Sequence, residues 1–186
     1  MVDLWDIDRL WRFYRLIEKD LVTADTYVEP GQNKVYSVFF KKIILVSGVF
    51  IEETLKKLCA ILSPEEKTGD INDYKKIICT KIPAICNIEI YVKSWEYRTV
   101  KPFSDWSEGK KLPIWDAYNT IKHDPDNIEK ANFGLAVNMV GALYILLLYI
   151  ERLSDYGVSD TSSEYFYSEY GQEDAPKVQV KELPII

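Results

Sequence analysis

The sequence contains little histidine and little cysteine. Among its 186 residues, His123 is the one histidine, and the three cysteines lie at positions 59, 79 and 86. No two cysteines have a Cys-x-x-Cys spacing, and the set does not have the short loop between ligands that structural zinc sites use. An odd, scattered set of thiols is typical of a reducing compartment. We therefore expect no metal, no cofactor and a cytoplasmic location.

Glycine-rich loops and an excess of basic residues are missing as well. The eight glycines are isolated from one another, so the chain has no glycine loop of the kind that cradles phosphate groups. The formal net charge is −6, and residues 151–186 account for −5 of it. The amino terminus carries acidic residues where a signal peptide has a basic lead, so we expect no export. Any contact with nucleic acid must therefore be local, because the molecule as a whole is not basic.

Hydrophobic residues make up 47% of the chain and recur mainly at helical spacing. Five segments follow this period: 3–24, 37–62, 71–80, 113–123 and a long last helix that ends near 154. Asp124 or Asp126 is in position to cap the last of them. The expected fold class is therefore all-α, an antiparallel bundle of four or five helices over residues 1–158.

Two parts of the chain do not follow the helical period. Residues 83–112 are predicted to form an irregular, aromatic-rich connection, in which Ile88, Ile90 and Val92 alternate as in a short strand. Residues 159–186 are predicted to form an acidic tail, and its β-like runs allow a short hairpin.

The segment 131–150 contains no formally charged residue and is long enough to span a membrane. It also contains two asparagines, two glycines and two tyrosines, and the chain has no second segment like it. A helix surrounded by others in a bundle has the same composition. We therefore expect a buried core helix and no membrane contact.

One helix combines several polar groups with an aromatic ring. At 100° per residue, Trp115, Asn119, Lys122 and His123 fall within an arc of about 100° and share a face. Lys122 supplies positive charge, Asn119 can orient a ligand by hydrogen bonding, and an imidazole can transfer a proton near neutral pH. This combination suits an anion such as a ribose phosphate.

A purely structural interpretation of the same residues stays open. In it, Lys122 and His123 hydrogen-bond to the last carbonyls of their helix, and Asp124 caps the next helix. The chain is then a non-catalytic structural or protein-interaction bundle.

The stretch YNTIKHD resembles the Asn-x-x-Lys-His signature of the HEPN superfamily, and the likeness extends over about residues 8–154. These small helical-bundle domains belong to prokaryotic toxin–antitoxin, phage-defence and RNA-processing systems. The resemblance implies an RNA-acting domain with a metal-independent site. Asn119, Lys122 and His123 would be its catalytic residues, and the substrate would contact Trp115, Tyr118 and Asp124.

The resemblance also implies a homodimer, because family ribonucleases bring two copies of the motif together, and a cognate antitoxin or defence partner. We also expect the dimer for a second reason. The helix that carries the motif, residues 113–123, is called the motif helix, and the apolar surface around it is larger than a monomer can cover. Ribonuclease members carry an arginine where this chain has Tyr118, five residues before His123. The resemblance therefore implies weak or degenerate cleavage, or RNA binding without cleavage.

Overall fold

A computed structural model describes residues 4–29, 31–92, 99–154, 163–164 and 166–167, and of residues 4–6 and 167 it describes only the backbone. This part of the chain is mostly helical, as predicted. Its helices are α1 (Leu4–Asp25), α2 (Val38–Leu62), α3 (Ile71–Lys81), α4 (Ser104–Ser107), α5 (Pro113–His123) and α6 (Phe133–Leu153). Two 3-10 turns lie at Pro83–Asn87 and Ile128–Lys130, and three short strands are β1 (Ile90–Val92), β2 (Thr99–Val100) and β3 (Phe166–Tyr167).

Local sequence signals set the ends of α2 and α5. The Ser37 side chain accepts a hydrogen bond from the Phe40 amide at 3.2 Å, so α2 begins where predicted. Pro113 occupies the first turn of α5, where a helix needs no N–H. That helix ends at His123 because the next residue, Asp124, precedes a proline and is pushed out of helical geometry.

Helix α6 lies at the centre of the hydrophobic core. It makes its most extensive contacts with α2 and also packs against α1 and α5. Among the described residues it is the one helix long and apolar enough to cross a membrane, and 83% of its most apolar stretch is buried inside the chain. The predicted burial of this segment is confirmed.

The predicted start of the last helix is wrong. Neither Asp124 nor Asp126 caps it: Asn132 does, by accepting a hydrogen bond from the Leu135 amide at 2.9 Å. The cause is a long-range contact, because Asn132 forms a β-bridge with Tyr36 from the segment before α2. Residues 124–131 instead form a turn and a 3-10 turn.

The three strands form an antiparallel sheet in the order β2-β1-β3. The strand predicted near residues 88–92 is present as β1. Gly141 of α6 faces this sheet, since a Cβ atom there would lie 2.9 Å from the Ile90 Cδ1 atom. The described part of the tail contributes β3, which pairs with β1, and the rest of the predicted tail hairpin lies outside the described residues.

A buried polar cluster ties the tail to α1. The Tyr14 hydroxyl donates to the Glu18 Oε1 atom at 2.7 Å and lies 3.1 Å from the Ser163 Oγ atom. The same Oγ atom accepts a hydrogen bond from the Phe166 amide at 2.8 Å. Burial raises the pKa of the Tyr14 hydroxyl well above its ordinary value, so this group stays protonated and keeps donating.

Candidate functional site

Helix α5 buries one side and exposes the other. The buried side packs against α2 and α6 and consists of Ile114, Ala117, Tyr118 and Ile121. The other predicted site residues on this helix are at least partly exposed: Trp115, Asn119, Lys122 and His123. The four residues predicted to share a face therefore all lie on the more exposed side of α5, whereas Tyr118, predicted separately to contact the substrate, lies on the buried side.

Lys122 and His123 are exposed at the carboxyl end of α5, and the neighbouring Asp124 is exposed as well. The Lys122 Nζ atom lies 5.2 Å from the centre of the Tyr118 ring, a cation–π contact. Within the described ranges, neither Lys122 nor His123 bonds a backbone carbonyl or a carboxylate through its side chain. Since Asp124 does not cap α6 either, the helix-capping interpretation of these three residues is wrong.

Asn119 and Trp115 are joined by a hydrogen bond and line a common pocket. The Asn119 Nδ2 atom donates to the Trp115 carbonyl oxygen at 3.0 Å, which fixes the orientation of the amide. The amide oxygen, Oδ1, has no donor in the part of the chain that the structure describes. Asn119 therefore offers a fixed acceptor to a ligand.

Tyr118 does not line this pocket, and the prediction that it contacts the substrate is wrong. Its side chain is 2% exposed, and its ring packs directly on the α2 backbone at Gly48. A Cβ atom at Gly48 would lie 2.1 Å from the ring's Cδ2 atom. Tyr118 thus holds α5 against α2, and a ligand cannot reach the Tyr118 ring.

The pocket lies between the start of α3, residues 106–112 and α5, and has a volume of about 320 Å³. Two indole rings, three lysines and two amides are prominent in its lining: Trp106, Trp115, Lys75, Lys110, Lys111, Asn72 and Asn119. The sequence pattern does not single out these lysines, because paired lysines such as Lys110 and Lys111 usually lie on a solvated face. The signal that could have singled them out is that Lys110 and Lys111 follow an aromatic segment and directly precede the motif helix.

The charges around the pocket are unevenly neutralised. Lys110 pairs with Glu108, and the hydrogen bond between them raises the pKa of Lys110. The Asp116 carboxylate, which also lines the pocket, lies 3.0 Å from the Lys130 Nζ atom. Lys75 and Lys111 have no carboxylate partner within the described ranges. The pocket therefore presents two uncompensated positive charges to a ligand.

His123, Lys122 and Asp124 lie beyond this pocket. His123 follows Asn119 by four residues, which is about 6 Å along the helix axis at 1.5 Å per residue. The structure thus brings Trp115 and Asn119 together with lysines from elsewhere in the chain and leaves the imidazole beside the pocket, at the next turn of α5.

The thiols offer no metal site in the described residues, where no three potential ligands come together. The Cys79 and Cys86 Sγ atoms lie 3.6 Å apart. Burial, followed by the hydrogen bond to Cys86, raises the pKa of the Cys79 thiol to about 12, and burial raises that of Cys59 to about 12. Both remain protonated, and so weakly nucleophilic, near neutral pH.

The apolar surface predicted around the motif helix is also wrong. The large apolar side chains that are exposed belong to α1, to α2 and to the segment between them, with Leu16 at 64% and Val49 at 54% as examples. In the described chain none of them comes from α5, where Ile114, Tyr118 and Ile121 are buried and Trp115 is half-buried.

This chain matches none of the protein-family models, curated proteins or solved structures with which it was compared.

Proposed function

We propose that this chain is a HEPN-like RNA-acting domain, an antiparallel helical bundle whose RNA-facing groups are Asn119, Lys122 and His123. One observation carries the proposal: Lys122 and His123 are exposed and have no carbonyl or carboxylate partner within the described ranges. An exposed lysine and histidine without such a partner at a helix end are available to a ligand, and the carbonyl end of the helix favours cations there.

The chemistry that these groups suit is attack by a ribose 2′-hydroxyl on the adjacent phosphate. The reaction needs one group to take the hydroxyl proton, one to protonate the leaving oxygen, and positive charge near the phosphate. His123 of one protomer and its copy in a second protomer would perform the two proton transfers, while Lys122 supplies charge. This scheme uses no metal ion.

Because Tyr118 is buried, we expect RNA cleavage to be weak or absent. In the position where family ribonucleases carry arginine, this chain has a ring that is 2% exposed and reaches no phosphate. The Lys122 ammonium is a point charge and cannot form the bidentate hydrogen bonds that a guanidinium makes to a phosphate. The domain would therefore cleave RNA slowly or bind it without cleavage, in the cytoplasm of a cell that uses it in a phage-defence or toxin–antitoxin system with a cognate partner.

The test is RNA turnover in excess chelator. We expect slow cleavage by the wild type that chelation does not reduce, and a loss of about 100-fold or more in His123→Ala, because a general acid or base contributes on that scale. Equal rates for the two proteins would assign the cleavage to another source. If the wild type neither cleaves nor binds RNA at low salt, the chain is a structural or protein-interaction bundle.

A matched pair of lysines tests binding separately from cleavage. Lys122 and Lys81 each lie in the last turn of an 11-residue helix and are exposed. Lys122→Ala should weaken RNA binding several-fold at low salt and lower the salt dependence by about one phosphate contact, whereas Lys81→Ala should leave both unchanged. Equal losses in the two variants would mean that only net charge matters.

A homodimer is part of the same proposal, since the two proton transfers need two copies of His123. Its apolar contact would come from the exposed side chains of α1 and α2. Light scattering at micromolar concentration should return about twice 21.7 kDa. A monomer over this range would eliminate the two-protomer site and leave RNA binding by a single chain.

A further inference from the structure

We infer that the pocket between α3 and α5 is a subsite for one nucleotide, with the base on Trp115 and the phosphate at Lys75 and Lys111. The inference rests on the proposed function in one respect, that RNA supplies the nucleotide. The pocket itself is defined independently of His123, by its shape, its rings and its charges.

The size of the pocket fits a single nucleotide. Its volume of about 320 Å³ lies at the small end of the range of about 300–1,000 Å³ that ligand pockets occupy. Two of its walls are the first turn of α3 and the exposed side of α5, and residues 106–112 complete the lining. A single base with its sugar and phosphate is of this size, whereas a folded RNA element is not.

Trp115 provides the surface on which a base can stack. Its ring is half-buried, and it is held in place by Tyr118, with the ring centres 5.5 Å apart and the planes tilted by 55°. Trp106, which is 4% exposed, is also part of the lining. The Asn119 Oδ1 atom has no donor among the described residues, and the bond from the amide nitrogen to the Trp115 carbonyl fixes its orientation, so it can accept a hydrogen bond from the edge of a base.

Lys75 and Lys111 provide the charge for the phosphate. They come from α3 and from the segment before α5, and neither has a carboxylate partner in the described parts of the chain. Two amides at the start of α3, those of Asn72 and Asp73, are not available, because the Asp70 side chain already accepts from them. The phosphate site therefore consists of the two ammonium groups, and binding should weaken as salt is added.

The position of the pocket connects it to the proposed RNA site. Asn119 is in its lining, and His123 lies one helical turn further along the same side of α5. A nucleotide held in the pocket would place the next part of an RNA strand beside the imidazole. The subsite would thus fix which phosphate His123 meets.

Calorimetric titration with small probes tests the subsite directly. The probes are adenosine 5′-monophosphate, adenosine, inorganic phosphate and an adenylate pentamer, all in excess chelator at low salt. We expect the monophosphate to bind more tightly than adenosine or phosphate alone. Only the monophosphate can stack on the Trp115 ring and also contact Lys75 and Lys111. No saturable binding of the monophosphate at millimolar concentration would overturn the inference.

Matched variants locate that binding. Lys75→Ala should weaken binding of the monophosphate about tenfold. Lys76→Ala removes a positive charge from the next residue of α3 and should leave this binding unchanged. Trp115→Ala should also weaken binding of the monophosphate about tenfold. Trp115→Phe should keep most of the affinity, because a phenyl ring still stacks on the base. Equal effects of Lys75→Ala and Lys76→Ala, or no difference between Trp115→Ala and Trp115→Phe, would place the nucleotide elsewhere.

The pentamer separates the subsite from the proposed function. If the monophosphate binds as expected and the pentamer does not, the pocket takes free nucleotides and the RNA-acting proposal fails. If the pentamer binds through Lys122 while the monophosphate does not bind, the subsite is wrong and the RNA-acting proposal stands. Binding of both, each weakened by Lys75→Ala, supports the two together.

Discussion

Tyr118→Arg is expected to lower the free energy of unfolding by about 4 kcal/mol or more, and not to raise RNA cleavage. Under the proposed function, the substitution introduces the arginine that HEPN ribonucleases carry at the matching position of the motif. Here the Tyr118 ring is 2% exposed and rests on the α2 backbone at Gly48, so a guanidinium would be buried without a partner. Urea unfolding followed by circular dichroism measures the loss.

Tyr118→Phe is the matched control, since it keeps the ring that fills the contact with Gly48. It should change the free energy of unfolding by no more than about 1 kcal/mol. A Tyr118→Arg protein that is as stable as the wild type and cleaves RNA faster would show that residue 118 turns outward when the site acts.

The helices could be predicted where local signals decide their ends. Ser37 caps α2 and Pro113 begins α5, and neither signal depends on the rest of the fold. The start of α6 could not be predicted, because Asn132 is set in place by pairing with Tyr36, almost a hundred residues earlier. The pairing of β3 with β1 is of the same kind, since short strands acquire their partners only in the folded chain.

The candidate site was predictable to the extent that it lies on one helix. The helical period places Trp115 and Asn119 on one side, and both line the pocket. The period also places Tyr118 only about 40° from Lys122, but it does not show which side α2 covers. Lys75 could not be found from the motif, because α3 meets α5 only through tertiary packing.

Gly48→Ala should lower the free energy of unfolding by about 3 kcal/mol, even though alanine is the better helix former by about 1 kcal/mol. The added Cβ atom would lie 2.1 Å from Cδ2 and 2.5 Å from Cγ of Tyr118. Rotation of the ring about the Cβ–Cγ bond leaves Cγ in place, so the clash is relieved only by a χ1 change that fits the buried ring elsewhere or by a shift of α5. Since α5 carries Asn119 and His123, the substitution should also weaken RNA binding under conditions where the protein stays folded.

Gly141→Ala is the matched control within α6. Its Cβ atom would approach 2.9 Å from the terminal Cδ1 methyl of Ile90, which a rotamer change can move. Gly141→Ala should therefore lower the free energy of unfolding by about 1 kcal/mol or less, once the gain in helix propensity is included. Gly48→Ala should lower the free energy of unfolding by less in a Tyr118→Ala background than in the wild type, because the clash is gone. Equal losses for Gly48→Ala and Gly141→Ala, or no coupling with position 118, would contradict the close contact of α2 and α5.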